Sequence, residues 1–148
     1  MKFFTKEWWF GDSVDDDSVF ERYRDYISSV RDSLPEQLVD LHENHTLHDA
    51  EVKRMVMSAT RGALQLELLG WDLALSNQIR YELTFSGVTW FDLALPEAEH
   101  VQREFGDLGY WECEYLGSEI EVRLLFATEA TFTVRFSDFA FRACAVAA

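Results

Sequence analysis

Ile79-Arg80-Tyr81-Glu82-Leu83-Thr84-Phe85 sets Ile, Tyr, Leu and Phe on one face and Arg, Glu and Thr on the other. A period of two held over seven residues marks a strand with one buried and one wet face. Such alternation belongs to antiparallel sheets, because parallel strands are covered on both faces and read as unbroken apolar runs. The same period recurs on either side. Upstream, Glu51–Ser58 and Ala63–Leu69 flank the turn Thr60-Arg61-Gly62, with Leu64, Leu66 and Leu68 sharing a face. Downstream, Ser86-Gly87 interrupts the chain before Val88–Leu93, and Trp111, Cys113 and Tyr115 alternate with Glu112 and Glu114. Gly117-Ser118 is a two-residue hairpin signal, after which Ile120, Val122 and Leu124 alternate with Glu119, Glu121 and Arg123. A last strand carries Phe132, Val134 and Phe136 and is expected to run on toward Phe141. The buried face should include Tyr81, Leu83, Phe85, Val122 and Val134.

Before residue 50 the period changes. Phe20, Tyr23, Tyr26–Ile27, Val30 and Leu34 recur every three or four residues, which predicts a helix over about 18–32. Ser18-x-x-Glu21 reads as a capping box, and Asp15-Asp16-Asp17 just ahead suits the positive end of the helix dipole. A second box, Ser33-x-x-Glu36 with Pro35, predicts a short helix over 34–43 with Leu34, Leu38 and Leu41 inward. The aromatic-rich residues 2–10 suit a short strand, and Pro96 is expected to open a short helix to about Phe105. The order defines one α+β domain over residues 1–148, with an N-terminal strand and helix pair packed on a mostly antiparallel, hairpin-built sheet.

Composition narrows the function classes. Apolar residues make up 48% of the 148-residue chain and aromatics 15%, enough for a packed core. The formal charge is −14, and residues 1–50 and 51–148 share it equally. A negative field spread over the whole chain repels nucleic acid and anionic membrane surfaces, and draws basic partners inward. No apolar run approaches the roughly 20 residues of a membrane span. The start Met1-Lys2-Phe3-Phe4-Thr5-Lys6-Glu7 lacks a signal-peptide h-region, so the expected address is the cytoplasm. Two cysteines, Cys113 and Cys144, fit ordinary thiols in a reducing compartment.

The chain carries no nucleophile elbow, P-loop or dinucleotide fingerprint. Its densest set of chemical side chains is His42-Glu43-Asn44-His45-Thr46-Leu47-His48-Asp49. Imidazoles and carboxylates are the usual ligands of zinc or iron, but the spacing matches neither a helical His pair nor a finger. His42, His45, His48 and Asp49 therefore read as a helix end and polar loop, with no metal and no cofactor expected. Glu112, Glu114, Glu119 and Glu121 are expected to share the wet face of their hairpin. Like charges so placed oppose one another, and a basic partner would relieve them. Asp15, Asp16 and Asp17 form a second acidic candidate surface. Trp8 and Trp9 form an aromatic one, since interface centres favour Trp.

Met1-Lys2-Phe3-Phe4-Thr5-Lys6-Glu7-Trp8 resembles the opening of a bacterial family of unknown function, whose members begin Met-Lys-Tyr-Phe-Thr-Lys-Glu-Trp. Leu47-His48-Asp49-Ala50-Glu51-Val52, followed by alternating strands and Leu83-Thr84-Phe85-Ser86-Gly87-Val88, is similar in layout to small acidic immunity proteins of polymorphic toxin systems. Neither resemblance supplies catalytic residues. Three classes stay open: a cytosolic protein-binding protein, concretely an immunity-type inhibitor of a basic toxin; a self-associating domain; and a small metal-dependent enzyme built on the histidines.

Overall fold

The computed structural model describes residues 1–11, 17–96 and 104–147. Four helical segments come first: α1 (Lys6–Phe10), α2 (Ser18–Val30), a 3-10 turn (Arg31–Ser33) and α3 (Glu36–Asn44). Eight strands follow among the described residues: β1 (Glu51–Ser58), β2 (Ala63–Trp71), β3 (Gln78–Ser86), β4 (Trp90–Ala94), β5 (Leu108–Tyr115), β6 (Ile120–Phe126), β7 (Thr131–Phe136) and β8 (Asp138–Ala145). The class is α+β, and every strand pairing is antiparallel.

The strands form two sheets where one was expected, in the orders β1-β2-β3-β8 and β4-β7-β6-β5. Each buries the face its alternation marked. Leu64, Leu66, Leu68, Tyr81, Leu83 and Phe85 of the first share one core with Val122, Leu124, Phe132, Val134 and Phe136 of the second. All five residues expected at the buried face are 2% exposed or less. Phe85 meets Phe136 edge-on at 4.9 Å, so rings from opposite sheets interlock.

The second sheet arises because the last strand does not run on to Phe141. At Ser137 the chain leaves β7 and enters β8 in the other sheet, while β3 makes the reverse crossing to β4 at Ser86-Gly87. The two crossings lie side by side, joined by the Ser137 N–H donating to the Ser86 carbonyl at 3.0 Å. Gly87 has φ +64, and a Cβ there would lie 2.0 Å from Ser137 Oγ, so only glycine fits the corner. A bent two-stranded ribbon of this kind is how strands pass between packed sheets.

Three local expectations are also corrected. Residues 2–10 do not form a strand. The Thr5 side chain accepts the Trp8 N–H at 3.1 Å and starts the five-residue helix α1. This cap, together with the packing of the Trp rings, outweighs the β-preference of the aromatics. At α2 the N-cap position is Asp17 and Ser18 is the first helical residue; at α3 it is Pro35, with Ser33 inside the 3-10 turn. Neither capping box therefore forms in the expected register. Phe20 is 46% exposed instead of inward, and Val19 takes the buried place. Leu34, Leu38 and Leu41 are buried as expected. The helix expected after Pro96 falls largely outside the described residues.

Candidate functional site

The hairpin acids come first. The Gly117-Ser118 turn is closed by the Leu116 N–H donating to the Glu119 carbonyl at 2.8 Å. That turn fixes a register with Glu114 opposite Glu121 and Glu112 opposite Arg123. Three of the four glutamates share a face, as expected, but the face is covered and neutralised. Glu112 is fully buried and Glu121 nearly so. Arg123 forks between them, reaching Glu112 at 2.9 Å, Glu121 at 2.5 Å, and also Glu114. Arg135 holds the far oxygen of Glu121 at 2.5 Å, and Lys2 reaches Glu114 at 2.7 Å. Three carboxylates thus face three cations. Burial alone would raise Glu114 and Glu121, but hydrogen bonds from Lys2 and Arg123 to one, and Arg135 and Arg123 to the other, hold both below the usual carboxylate range. Glu119 stands apart and accepts the Thr89 hydroxyl at 2.5 Å.

The cover over Glu112 is the N-terminal arm. Its carboxylate accepts the N–H groups of Lys2, Phe3 (2.9 Å) and Phe4 (3.1 Å) as well as Arg123. A buried carboxylate with this many donors is fully satisfied. Behind the arm, Phe4 stacks on Tyr110 at 5.2 Å, and Trp8 meets Phe20 and Tyr110 edge-on. Trp9 packs over Gly109, where a Cβ would lie 2.1 Å from the indole. The two tryptophans are half-buried and hold α1 to the sheet. Of the acidic loop, Asp15 and Asp16 lie outside the described residues, and Asp17 occupies the N-cap position of α2 without a side-chain cap bond.

The histidines serve one strand edge and two packing sites. Tyr23, on α2, takes the Cys113 N–H at 2.9 Å and bonds His42 Nε2 at 2.6 Å, while His42 lies against Trp111 at 4.4 Å. Burial lowers the His42 pKa from 6.5 to about 4, so the ring is neutral and accepts the tyrosine proton. Burial likewise raises Tyr23 and pushes the Cys113 thiol up to about 12. His45 packs edge-on against Phe141 and Tyr81. His48 Nδ1–H donates to the Gly109 carbonyl at 2.9 Å, and its other nitrogen lies 3.5 Å from Asp49. The three rings therefore turn to different partners. No group of three His, Cys, Asp or Glu residues is arranged around a metal position among the described residues.

These contacts close the outer edge of β5. Asp49 and Ala50 pair with Leu108, His48 takes Gly109, Tyr23 takes Cys113, and Tyr26 takes the Tyr115 N–H at 2.8 Å. In the other sheet, Gln37 of α3 accepts the Phe141 N–H of β8 at 2.9 Å, and β1 carries a bulge between Val52 and Arg54 amid charged residues. Covering, bulging and charging are the usual defences of a sheet edge.

The edge at β4 is neither covered nor bulged among the described residues, and Asp92 is its single charge. All five of its residues are exposed. Trp90, Phe91 and Leu93 are 46%, 44% and 37% exposed, and Leu95 beyond them is 45% exposed. Phe91 and Leu93 stand opposite the core residues Val134 and Phe132 of β7, so the core-facing side of the sheet runs out into solvent here. On the other side Arg135 lies 5.0 Å over the Trp90 ring and links it to Glu121. The sequence places Val88–Leu93 in the run of strands without marking it as a surface, although Trp90-Phe91-Asp92-Leu93-Ala94-Leu95 carries a signal: an apolar run with a single charge. A separate surface cavity of about 560 Å³ gathers Glu51, Glu104 and Asp107 around Phe105, with no cation or imidazole in its lining among the described residues.

Fold and surface together define an α+β protein of two antiparallel sheets, in which Tyr23, His42 and Cys113, displaced in pKa by burial, are structural groups and β4 lies on the outside. The chain belongs to a family described as protein of unknown function (DUF4085), whose profile matches residues 3–136. No curated protein is similar to it in sequence. Among solved structures, an uncharacterized protein from Neisseria gonorrhoeae is 13% identical, with a TM-score of 0.49 over 66% of this chain and 93% of that one. Among the described residues no helix is long and apolar enough to cross a membrane.

Proposed function

We propose that this chain is a cytosolic protein-binding protein with a basic partner, in concrete form an immunity-type inhibitor that occupies the surface of a basic toxin. The observation that carries the reading is β4, whose large apolar side chains stand in solvent on a chain of net charge −14. Solvent-facing Trp and Phe beside an unpaired sheet edge expose the chain to aggregation unless a partner uses them. The charge selects the partner's sign and speeds its approach. The excess negative charge also lies elsewhere than in the Glu112–Arg123 network, which is balanced within the fold, so it remains free to act on a partner. The groups with the most displaced titration, His42, Tyr23 and Cys113, are buried against one another at the β5 edge, where they are kept neutral and serve as caps. Two free thiols, one of them exposed, accord with a reducing compartment.

Affinity capture from native cytosol tests this, using the full chain and a Phe91→Ser/Leu93→Ser variant side by side. One basic protein should be retained stoichiometrically by the parent chain and lost by the variant. Equal retention by both, or no stoichiometric basic partner, would overturn the reading.

A further inference from the structure

Among the described residues β4 is paired on one side, by β7. In an antiparallel ladder alternate residues aim their N–H and C=O groups at the partner, and the rest aim them away. The outward set along Trp90–Ala94 is thus a row of donors and acceptors with no partner strand among the described residues, and exposed apolar side chains stand above and below it. Both requirements for strand addition are met, since the backbone supplies affinity and the alternating side chains supply selection.

The side chains also describe the segment that would fit. Asp92 is the one charged residue of β4 and stands opposite Thr133 on the outer face, while its neighbours Phe91 and Leu93 point to the core-facing side. An incoming strand would therefore set a residue against Asp92 on one face and apolar residues against Phe91 and Leu93 on the other. A second copy of the chain fits badly. Two-fold antiparallel pairing centred on Asp92 would oppose the two aspartates and bring together two molecules of −14 each. A Lys or Arg at that position meets the carboxylate instead.

We propose that β4 is a docking strand, to which a basic protein adds an extended segment of the pattern apolar–basic–apolar, making a fifth strand on the sheet β4-β7-β6-β5 with its cation at Asp92. The inference rests on the protein-binding reading above and gives it a mode.

The test uses the whole chain, isotopically labelled, and a capped synthetic peptide of sequence Gly-Thr-Val-Lys-Val-Lys-Gly. A second peptide with the same side chains and charge carries N-methyl groups on every backbone amide from Thr to the last Lys, so it cannot donate to a strand from either edge. The first peptide should shift the amide signals of β4 and slow their exchange with solvent, and the N-methylated one should do neither. Asp92→Lys should weaken the first peptide about tenfold at low salt, through loss of an opposite-charge pair and gain of a like one. Asp25→Lys, on α2 beside the far edge of the same sheet, should leave it unchanged. No binding of the first peptide, equal binding of the two peptides, or shifts centred away from β4 would overturn strand addition. So would a dimer in sedimentation equilibrium that Phe91→Ser/Leu93→Ser abolishes, because the occupant would then be a second copy. If the peptides fail while a cytosolic partner is still lost by Phe91→Ser/Leu93→Ser, the binding reading stands and only its mode falls.

Discussion

β5 and β4 are the two edges of one four-stranded sheet, and the chain treats them in opposite ways. Along β5 the outward backbone groups are taken by two tyrosine hydroxyls, an imidazole and the Asp49-Ala50 turn. One face of that strand is closed by the N-terminal arm on Glu112. Along β4 the edge is left open among the described residues, and the side chains around it are apolar. Groups that look chemically suggestive, His42, His48 and three of the clustered glutamates, gather at the closed edge and do structural work there, while His45 packs on the other sheet. The open edge carries only one titratable side chain, Asp92. Substitutions at β5 should therefore be read in stability, and those at β4 in association.

The largest expected effect is at Glu112. Glu112→Ala leaves one Arg123 nitrogen and three backbone N–H groups without their acceptor, while Arg123 keeps Glu114 and Glu121, so the cost should approach but not exceed the about 3–5 kcal/mol of a buried ion pair broken on one side. Urea unfolding should show a midpoint lowered accordingly, and tryptophan emission should shift to the red as the arm loosens over Trp8 and Trp9. A midpoint close to the parent's would mean that the arm, and with it the closed face of β5, contributes little.

Tyr23→Phe comes next. It removes the hydroxyl that takes the Cys113 N–H and donates to His42, leaving buried polar groups unsatisfied at about 1–3 kcal/mol. Tyr26→Phe, at a less buried site, should cost less. If neither change is measurable, water replaces the hydroxyls and the edge is less closed than its geometry shows.

Acid should loosen the same edge. His42 binds a proton near pH 6.5 when unfolded and near 4 in the fold, where Tyr23 and Glu43 are its polar neighbours. Between those values the unfolded chain holds more protons, so stability is complete above about 6.5 and falls as the pH drops toward 4. The loss should be about 1–2 kcal/mol after allowance for the ring's partial exposure. His42→Gln should flatten stability against pH within that window, leaving the carboxylates to govern below it. An unchanged slope would place His42 in solvent.

The smallest effect sharpens the contrast. Phe91→Ser/Leu93→Ser removes side chains already about two-fifths exposed, so it should move the unfolding midpoint by no more than about 1 kcal/mol. The same variant should raise solubility at high protein concentration, measured by light scattering. A large loss of stability would show that β4 is part of the core and not an edge held out to a partner.

The elements legible in the sequence were those set by neighbours in the chain. Alternation located β1, β2, β3, β6 and β7 and their buried faces, and a two-residue turn fixed the β5–β6 hairpin. That register already placed Arg123 across from Glu112, so the pairing of the acids could have been read from it. The N-terminal helix was not legible, because a Thr5 cap and rings packing on Tyr110 overrode the strand preference of Phe and Trp.

Whether β7 ran on or changed sheet depended on Gly87 and Ser137, some fifty residues apart, meeting at one corner. Which edge was closed depended on α2 and the arm reaching β5 across about ninety and 110 residues. Local periodicity says which face of a strand is apolar, since that follows from the pleat alone. It is silent on what comes to lie against a face or an edge, because that is decided by contacts between distant segments competing for the same hydrogen bonds and the same core. The sequence by itself thus determined the α+β class, the strands and the acidity; only the tertiary structure decided that the acids of β5 are spent inside the fold and that β4 is left facing out.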